Sequence, residues 1–274
     1  MWTSRTRKQY ARDQLTYASN LTAEEWAILE PLLPVPAATG RPWQWPLKLI
    51  VEAIFYVLPT GCQWRYLPSD FPPWPTVYYW FRRLSADGTW ERVNHTLVMA
   101  ARQRGGRDAS PTAAIIDSQS VKATEAAGPR GYDAGKKIMG CKRHILTDTE
   151  GHLLSAVVHE ACIQDRDGAV LLFSQLFGLF PFISRIFADG GYAGEKLKQA
   201  LRSFGNWCIE IVKRSDQAKG FVLLPRRWVV ERTFAWFGRN RRLSRQFEAS
   251  PETAVAYLYA ASVMLLARRL ARSS

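Results

Sequence analysis

Three acidic residues stand where local rules make acids unexpected. Asp117 interrupts the run Ala113-Ala-Ile-Ile-Asp117-Ser-Gln-Ser-Val121, and Asp is a poor strand former. A rule broken inside an otherwise consistent strand marks a functional position, with a solvated strand face as the plain alternative. Asp189 ends the apolar Arg185-Ile-Phe-Ala188 and opens Gly-Gly-Tyr-Ala-Gly194. Ligands gather beyond the carboxyl ends of parallel strands, although an Asp-Gly turn accounts for the same letters. Glu231 lies in Val229-Val-Glu231-Arg-Thr-Phe234. Helical spacing puts Val230, Phe234 and Phe237 on one face and Arg227, Glu231, Ala235 and Gly238 on another, where a surface pair of Arg227 with Glu231 is the ordinary reading. Taken together, three carboxylates supply oxygen donors suited to Mg²⁺, with Mn²⁺ as its substitute. Two such ions support phosphoryl transfer by activating a nucleophile and steadying the leaving oxygen. Asp133, Asp148, Asp165 and Asp167 compete for the same role, the last two reading as caps of the following helix.

The elements that must position these acids form an α/β pattern. Ala113 to Val121, Ile138 to Thr147 and Leu153 to Cys162 are strand-like, with Glu150-Gly151 as a turn. Asp167 to Leu179 is helical, Ile183 to Asp189 a short buried strand, Gly194 to Phe204 helical and Trp207 to Lys213 a strand. Three strands followed by helix, strand, helix and strand predict a mixed sheet, antiparallel first and parallel later, in the order of ribonuclease-H-like folds. Helices over Pro225 to Arg239 and from Ser250-Pro251-Glu252 onward close this core. Ahead of it, Glu24 to Leu33, Pro46 to Leu58 and Thr76 to Leu84 are helix-like, and Arg102 to Pro111 reads as a linker. The expected organisation is a basic arm over 1–20, a small all-α, DNA-binding domain over 21–104 and a ribonuclease-H-like catalytic domain over 105–274.

Charge points to a polyanion. Lys and Arg number 37 against 24 Asp and Glu, a formal net charge of +13, and the isoelectric point is about 9.9. The excess is clustered: ten basic residues from Lys213 to Arg245 face only Asp216 and Glu231, and Arg130, Lys136, Lys137, Lys142 and Arg143 face Asp133 alone. The apolar runs Ala169 to Ile183 and Ala254 to Ala267 are shorter than the roughly 20 residues that span a bilayer, and no apolar block follows the basic start. The expectation is a cytoplasmic protein. Cys62, Cys141, Cys162 and Cys208 are widely spaced, as reduced thiols are. Cys141-x2-His144 with His159-x2-Cys162 has zinc-like spacing, but residues three apart in a strand point to opposite faces. In Tyr78-Tyr-Trp-Phe-Arg-Arg83 the aromatics read as core, with Arg82 and Arg83 left for DNA.

Several motifs in order carry a resemblance. They are Ile115-Ile-Asp117-Ser-Gln-Ser-Val-Lys122, Gly131-Tyr-Asp-Ala-Gly-Lys-Lys137, Lys142-Arg-His144, Asp189-Gly-Gly-Tyr192-Ala-Gly194 and Val229-Val-Glu231-Arg-Thr-Phe234. Upstream stand Leu21-Thr-Ala-Glu-Glu-Trp26, Gly61-Cys-Gln-Trp64-Arg and Phe71-Pro-Pro-Trp74. From about Leu21 to Glu248 the chain resembles the DDE transposases of the insertion-sequence-five group, within the larger insertion-sequence-four assemblage. The resemblance implies Asp117, Asp189 and Glu231 as catalytic metal ligands for two Mg²⁺ ions. It also implies a homodimer on double-stranded DNA, at terminal inverted repeats and target, in the bacterial nucleoid. Arg227 matches the family's Arg four residues before the Glu. Leu224 departs from its Tyr and Gly238 from its Lys, so Arg239, Arg241 or Arg242 is left to meet phosphate. Lys136, Lys137, Lys142 and Arg143 complete the expected DNA-binding set. Asp117 and Asp189 are 72 positions apart (189 minus 117) and Asp189 and Glu231 only 42 (231 minus 189), which leaves no room for a large insertion before the Glu. A catalytically silent DNA-binding relative and a ribonuclease-H-like nuclease without strand transfer are the competing classes.

Overall fold

Hydrophobic alternation and caps build the predicted elements in a computed structural model that describes residues 3–36, 42–125, 128–176, 178–205, 207–212 and 227–272. Lys213, Leu224, Pro225 and most of the basic run ahead of Arg227 lie outside the described residues. The helical half comprises α1 (Ser4–Tyr10), α2 (Ala23–Leu29), α3 (Leu47–Thr60), α4 (Trp74–Ala86) and α5 (Thr89–Arg104). Thr22 opens α2 with a capping box, its hydroxyl accepting from the Glu25 N–H while the Glu25 carboxylate accepts from the Thr22 N–H. Arg12, from the basic arm, folds back onto that same carboxylate with bonds of 2.6 and 2.7 Å.

The second half runs β1 (Ala113–Lys122), β2 (Gly131–Asp133), β3 (Ile138–Asp148), β4 (Leu153–Glu160), α6 (Asp165–Leu176), β5 (Arg185–Ala188), α7 (Glu195–Arg202), β6 (Cys208–Ile211), α8 (Arg227–Gly238) and α9 (Pro251–Arg272). β3 pairs antiparallel with β1 on one side and with β4 on the other, while β1, β5 and β6 run parallel. That central β1 with antiparallel neighbours to one side and parallel strands to the other is the ribonuclease-H-like sheet. The short β2, absent from the pattern read in the sequence, pairs with the first three residues of β3.

The two halves share one hydrophobic core. Buried residues from α3, α4 and α5 join those of the sheet and of α9 in a single cluster. α9 is the reason: it packs on α2, α3, α4, α5, α8 and β4, burying Ala256, Tyr257, Leu258, Ala260, Val263 and Ala267. By length and composition alone α9 passes for a membrane span, but 72% of its apolar window is buried inside the fold. Its apolarity is that of a helix enclosed by neighbours.

Arg102, expected in a linker, is buried at the end of α5. Its guanidinium lies 2.7 Å from Asp148 Oδ2, with the two side chains 7% and 0% exposed. Asp148 Oδ1 accepts the N–H groups of Glu150 and His152 at 2.9 Å each, and His152 Nδ1 is 3.0 Å from Oδ2. Burial pushes this carboxyl up, but the His152 and Arg102 contacts win and hold it down at about 2. One acid thus ties the β3 to β4 turn, where Gly151 takes φ +87°, to the helical half. Asp148→Ala leaves a buried Arg uncompensated and is expected to cost about 3–5 kcal/mol. Urea unfolding checks this, and a loss below about 1 kcal/mol would contradict the buried pairing.

Candidate active site

Strand register brings the first two acids together. β1 and β5 are parallel with Ile115 opposite Phe187, and two residues further along each strand stand Asp117 and Asp189. Both carboxylates therefore emerge at the same end of the sheet. β5 stops at Ala188, and Asp189 caps the turn that follows, its Oδ1 accepting the Gly191 N–H at 2.8 Å. The turn is crowded by acids: a Cβ on Gly191 would sit 3.0 Å from both Asp189 Oδ1 and Asp165 Oδ2. A side chain there would push the two carboxylates apart by a few tenths of an ångström, so glycine suits the close approach.

The third acid comes from α8, which packs on β1 and β3 through Val229, Val230, Thr233, Phe234 and Phe237. The opposite face carries Glu231, whose side chain is 55% exposed. Arg227, one turn earlier, lies 3.5 Å from Glu231 Oε1 and 3.7 Å from Asp189 Oδ2, bridging helix and sheet. Asp117 is less exposed and its Oδ1 accepts the Ser118 N–H at 2.7 Å. Burial, followed by the charges of Asp189 and Glu231, pushes its carboxyl up to about 6, against the pull of the Ser118 N–H and Arg227. Asp117, Asp189, Glu231 and Arg227 therefore share one electrostatic neighbourhood.

Among the described residues no group of three His, Cys, Asp or Glu side chains is assembled to hold a metal ion. The donor chemistry nevertheless fits a hard divalent cation. All three acids offer oxygen, and the Asp117 carboxyl, raised by burial and then by its two acidic neighbours, is one whose charged form a cation would favour. Arg227 supplies part of it between the other two.

Alternate strand residues face opposite sides of the sheet, so Ser118 turns away from α8 toward α6. Its hydroxyl donates to Asp165 Oδ1 at 2.8 Å, which also meets Lys142 Nζ at 2.9 Å. Tyr192 and His144 Nδ1 are 2.9 Å apart, and the His144 ring stacks on His159 at 4.9 Å. Burial, with the His159 charge next, lowers His144 to about 3, keeping it neutral. Asp165 was read from the sequence as a helix cap. Its carboxylate partners Ser118 and Lys142 and lies, like that of Asp189, against Gly191, a relation no local spacing reveals. The zinc-like Cys and His spacing yields stacked rings and a Cys141 thiol donating to the Pro129 carbonyl at 3.2 Å.

The expected DNA-binding residues divide. Lys136 and Lys137 are exposed in the turn before β3, where Lys137 takes φ +55°, and Lys136 Nζ donates to the Ser118 carbonyl at 3.4 Å, next to Asp117. Arg239 and Arg241 are also exposed, beyond α8. Lys142 and Arg143 correct the expectation: both are buried, Lys142 donating to the Ile163 carbonyl at 2.7 Å and Arg143 to the Leu243 and Arg245 carbonyls at 2.6 and 3.0 Å. Arg242 is likewise structural, bonded to Glu248 at 2.6 Å and lying 5.2 Å over the Tyr257 ring.

The sheet, with antiparallel strands on one side of β1 and parallel strands on the other, is the ribonuclease-H-like fold of the DDE nucleic-acid enzymes. The chain belongs to the DDE transposases: the family described as "Transposase DDE domain" matches residues 108–266. Residues 21–94 match "Putative transposase of IS4/5 family". Among curated relatives, the "Putative transposase for insertion sequence element IS402" of Burkholderia cepacia is 32% identical over 158 residues, covering 53% of this chain and 69% of that protein. "Insertion element IS402 uncharacterized 16.2 kDa protein" of the same organism is 34% identical over 110 residues, 38% of this chain and 73% of that protein. No solved structure matches.

The Asp117 carboxyl gives a pH-dependent expectation. Because folding raises it from an ordinary 3.8 to about 6, its charge penalises the fold above that pH, and the penalty fades as pH falls toward 4. Without metal, Asp117→Asn should therefore be more stable than the parent at pH 8 by about 1–3 kcal/mol. The gain should shrink through pH 6 and vanish near pH 4 in urea unfolding. A difference independent of pH would contradict the assignment.

Proposed function

We propose that the chain is a DNA transposase that binds insertion-sequence ends and carries out metal-dependent strand cleavage and strand transfer with Asp117, Asp189 and Glu231. The observation that supports this most is that Arg227 lies within 3.7 Å of Asp189 and 3.5 Å of Glu231 while the charges of both acids reach Asp117 on β1. They are the residues that would hold two Mg²⁺ ions, or Mn²⁺ in their place. When bound, the ions supply charge neutralisation at the phosphate and activation of the attacking oxygen.

The chain's own groups prepare that chemistry. The Ser118 N–H fixes Asp117, the Gly191 N–H fixes Asp189, and Arg227 limits repulsion between Asp189 and Glu231. Lys136, Lys137, Arg239 and Arg241 present cations to the DNA backbone. In the first step water oxygen bonds to the phosphorus at the element's end and the P–O3′ bond breaks, freeing a 3′-hydroxyl. In the second, that hydroxyl's oxygen bonds to a target phosphorus and the target's own P–O3′ bond breaks. Each step forms one P–O bond and breaks one, so positioning and charge carry catalysis without a covalent protein intermediate. A homodimer on double-stranded DNA, engaging inverted repeats and target in the bacterial nucleoid, completes the reading.

With Mg²⁺ and duplexes carrying the flanking inverted repeats, the parent should yield cleaved and joined products. Asp117→Asn should retain end binding while cleavage falls by about a thousandfold or more. Cleavage at the parent rate by that variant would remove Asp117 from the mechanism. Cutting of any duplex without joined product would favour a general nuclease.

A further inference from the structure

Away from the three acids, the end of α8, α9 and α1 enclose a cleft of about 530 Å³. Its lining includes Arg239, Arg268, Arg269 and Arg272 and no acidic residue. Its floor is apolar, with Phe237 and Met264 buried. The guanidinium groups are held by aromatic faces: Arg269 lies 4.2 Å over the Trp236 ring and Arg272 4.5 Å over the Tyr10 ring. Such stacking positions a guanidinium at the wall of the cleft. Arg268 donates to the Ala18 carbonyl at 3.0 Å, yet its Nε is buried without a hydrogen-bond partner. Burial, helped by Arg12 and Arg272 and opposed by Glu25, lowers Arg268 to about 10.

Four arginines line one cavity whose walls carry no acid, so an anion entering it meets an excess of positive charge. A second copy of this chain, with its net charge of +13, makes a poor occupant, whereas a phosphodiester backbone matches in charge and in geometry. Location agrees: Arg239 follows Glu231 by eight residues, a rise of about 12 Å along the helix, within reach of one duplex held at the acids.

We propose that this cleft is a second phosphate-binding site, taking the backbone of duplex DNA away from the phosphate that reacts. It extends the basic surface to Arg268, Arg269 and Arg272 on α9, which spacing around the acids does not indicate. The inference rests on the DNA chemistry proposed above.

The test measures binding of the full chain to a labelled inverted-repeat duplex in EDTA, by anisotropy across a KCl series. Arg269→Gln/Arg272→Gln is compared with Arg92→Gln/Arg202→Gln, which removes equal charge from side chains 66% and 78% exposed elsewhere. Thermal melting establishes that both variants fold. The cleft variant should bind about tenfold more weakly, with a log K against log salt slope smaller by about 1–2, as expected for one or two lost phosphate contacts. Affinity and slope equal to the control's would overturn the proposal. So would tripolyphosphate bound by the parent but not the cleft variant while both hold DNA equally, since the site would then serve a free polyphosphate. A parent chain that binds no DNA would sink the transposase reading itself, and this inference with it.

Discussion

Negative charge brought together at one end of a sheet is the constraint on which this molecule depends. Parallel pairing of β1 with β5 places Asp117 beside Asp189, and packing of α8 across β1 adds Glu231. Carboxylates so close are unfavourable unless cations share the space. Arg227 answers part of that need, while burial first and the charges of Asp189 and Glu231 after it raise the Asp117 carboxyl. A buried, raised carboxyl beside two others is a stability cost that a divalent cation would relieve.

The rest of the fold makes that arrangement rigid. β1 is central, and Asp117 is held opposite Ile145 of β3, two residues beyond the last β1 residue paired with β5. The opposite face of the same strand is tied to α6 through Ser118, Asp165 and Lys142. α9 runs through the shared core and joins the helical half to the sheet, with Arg102 and Asp148 forming a buried ionic tie between them. The two family matches, 21–94 and 108–266, thus meet in one core rather than as independently packed bodies.

Much of this was legible in the letters. β1, β3, β4 and β5 announced themselves by alternation or apolar runs, and α8 by the spacing of Val230, Phe234 and Phe237. Asp117 and Asp189 stood out because each violated or ended such a pattern. What stayed hidden depends on contacts between distant segments. β2 has three residues, too few for any period. Lys142 and Arg143 looked like surface cations, yet partners from α6 and from residues 243–245 draw them inside. Asp165 matched a helix cap because its tie to Ser118 spans 47 positions. Charge counting finds that a chain is basic but not which cations face outward.

The most direct test of the proposed metal site is anomalous diffraction from crystals of the full chain with Mn²⁺ and an inverted-repeat duplex. The account expects manganese peaks bounded by carboxylate oxygens of Asp117, Asp189 and Glu231, with a DNA phosphate completing the shell. Manganese elsewhere, or these three side chains turned from one another around an empty space while DNA is bound, would contradict it.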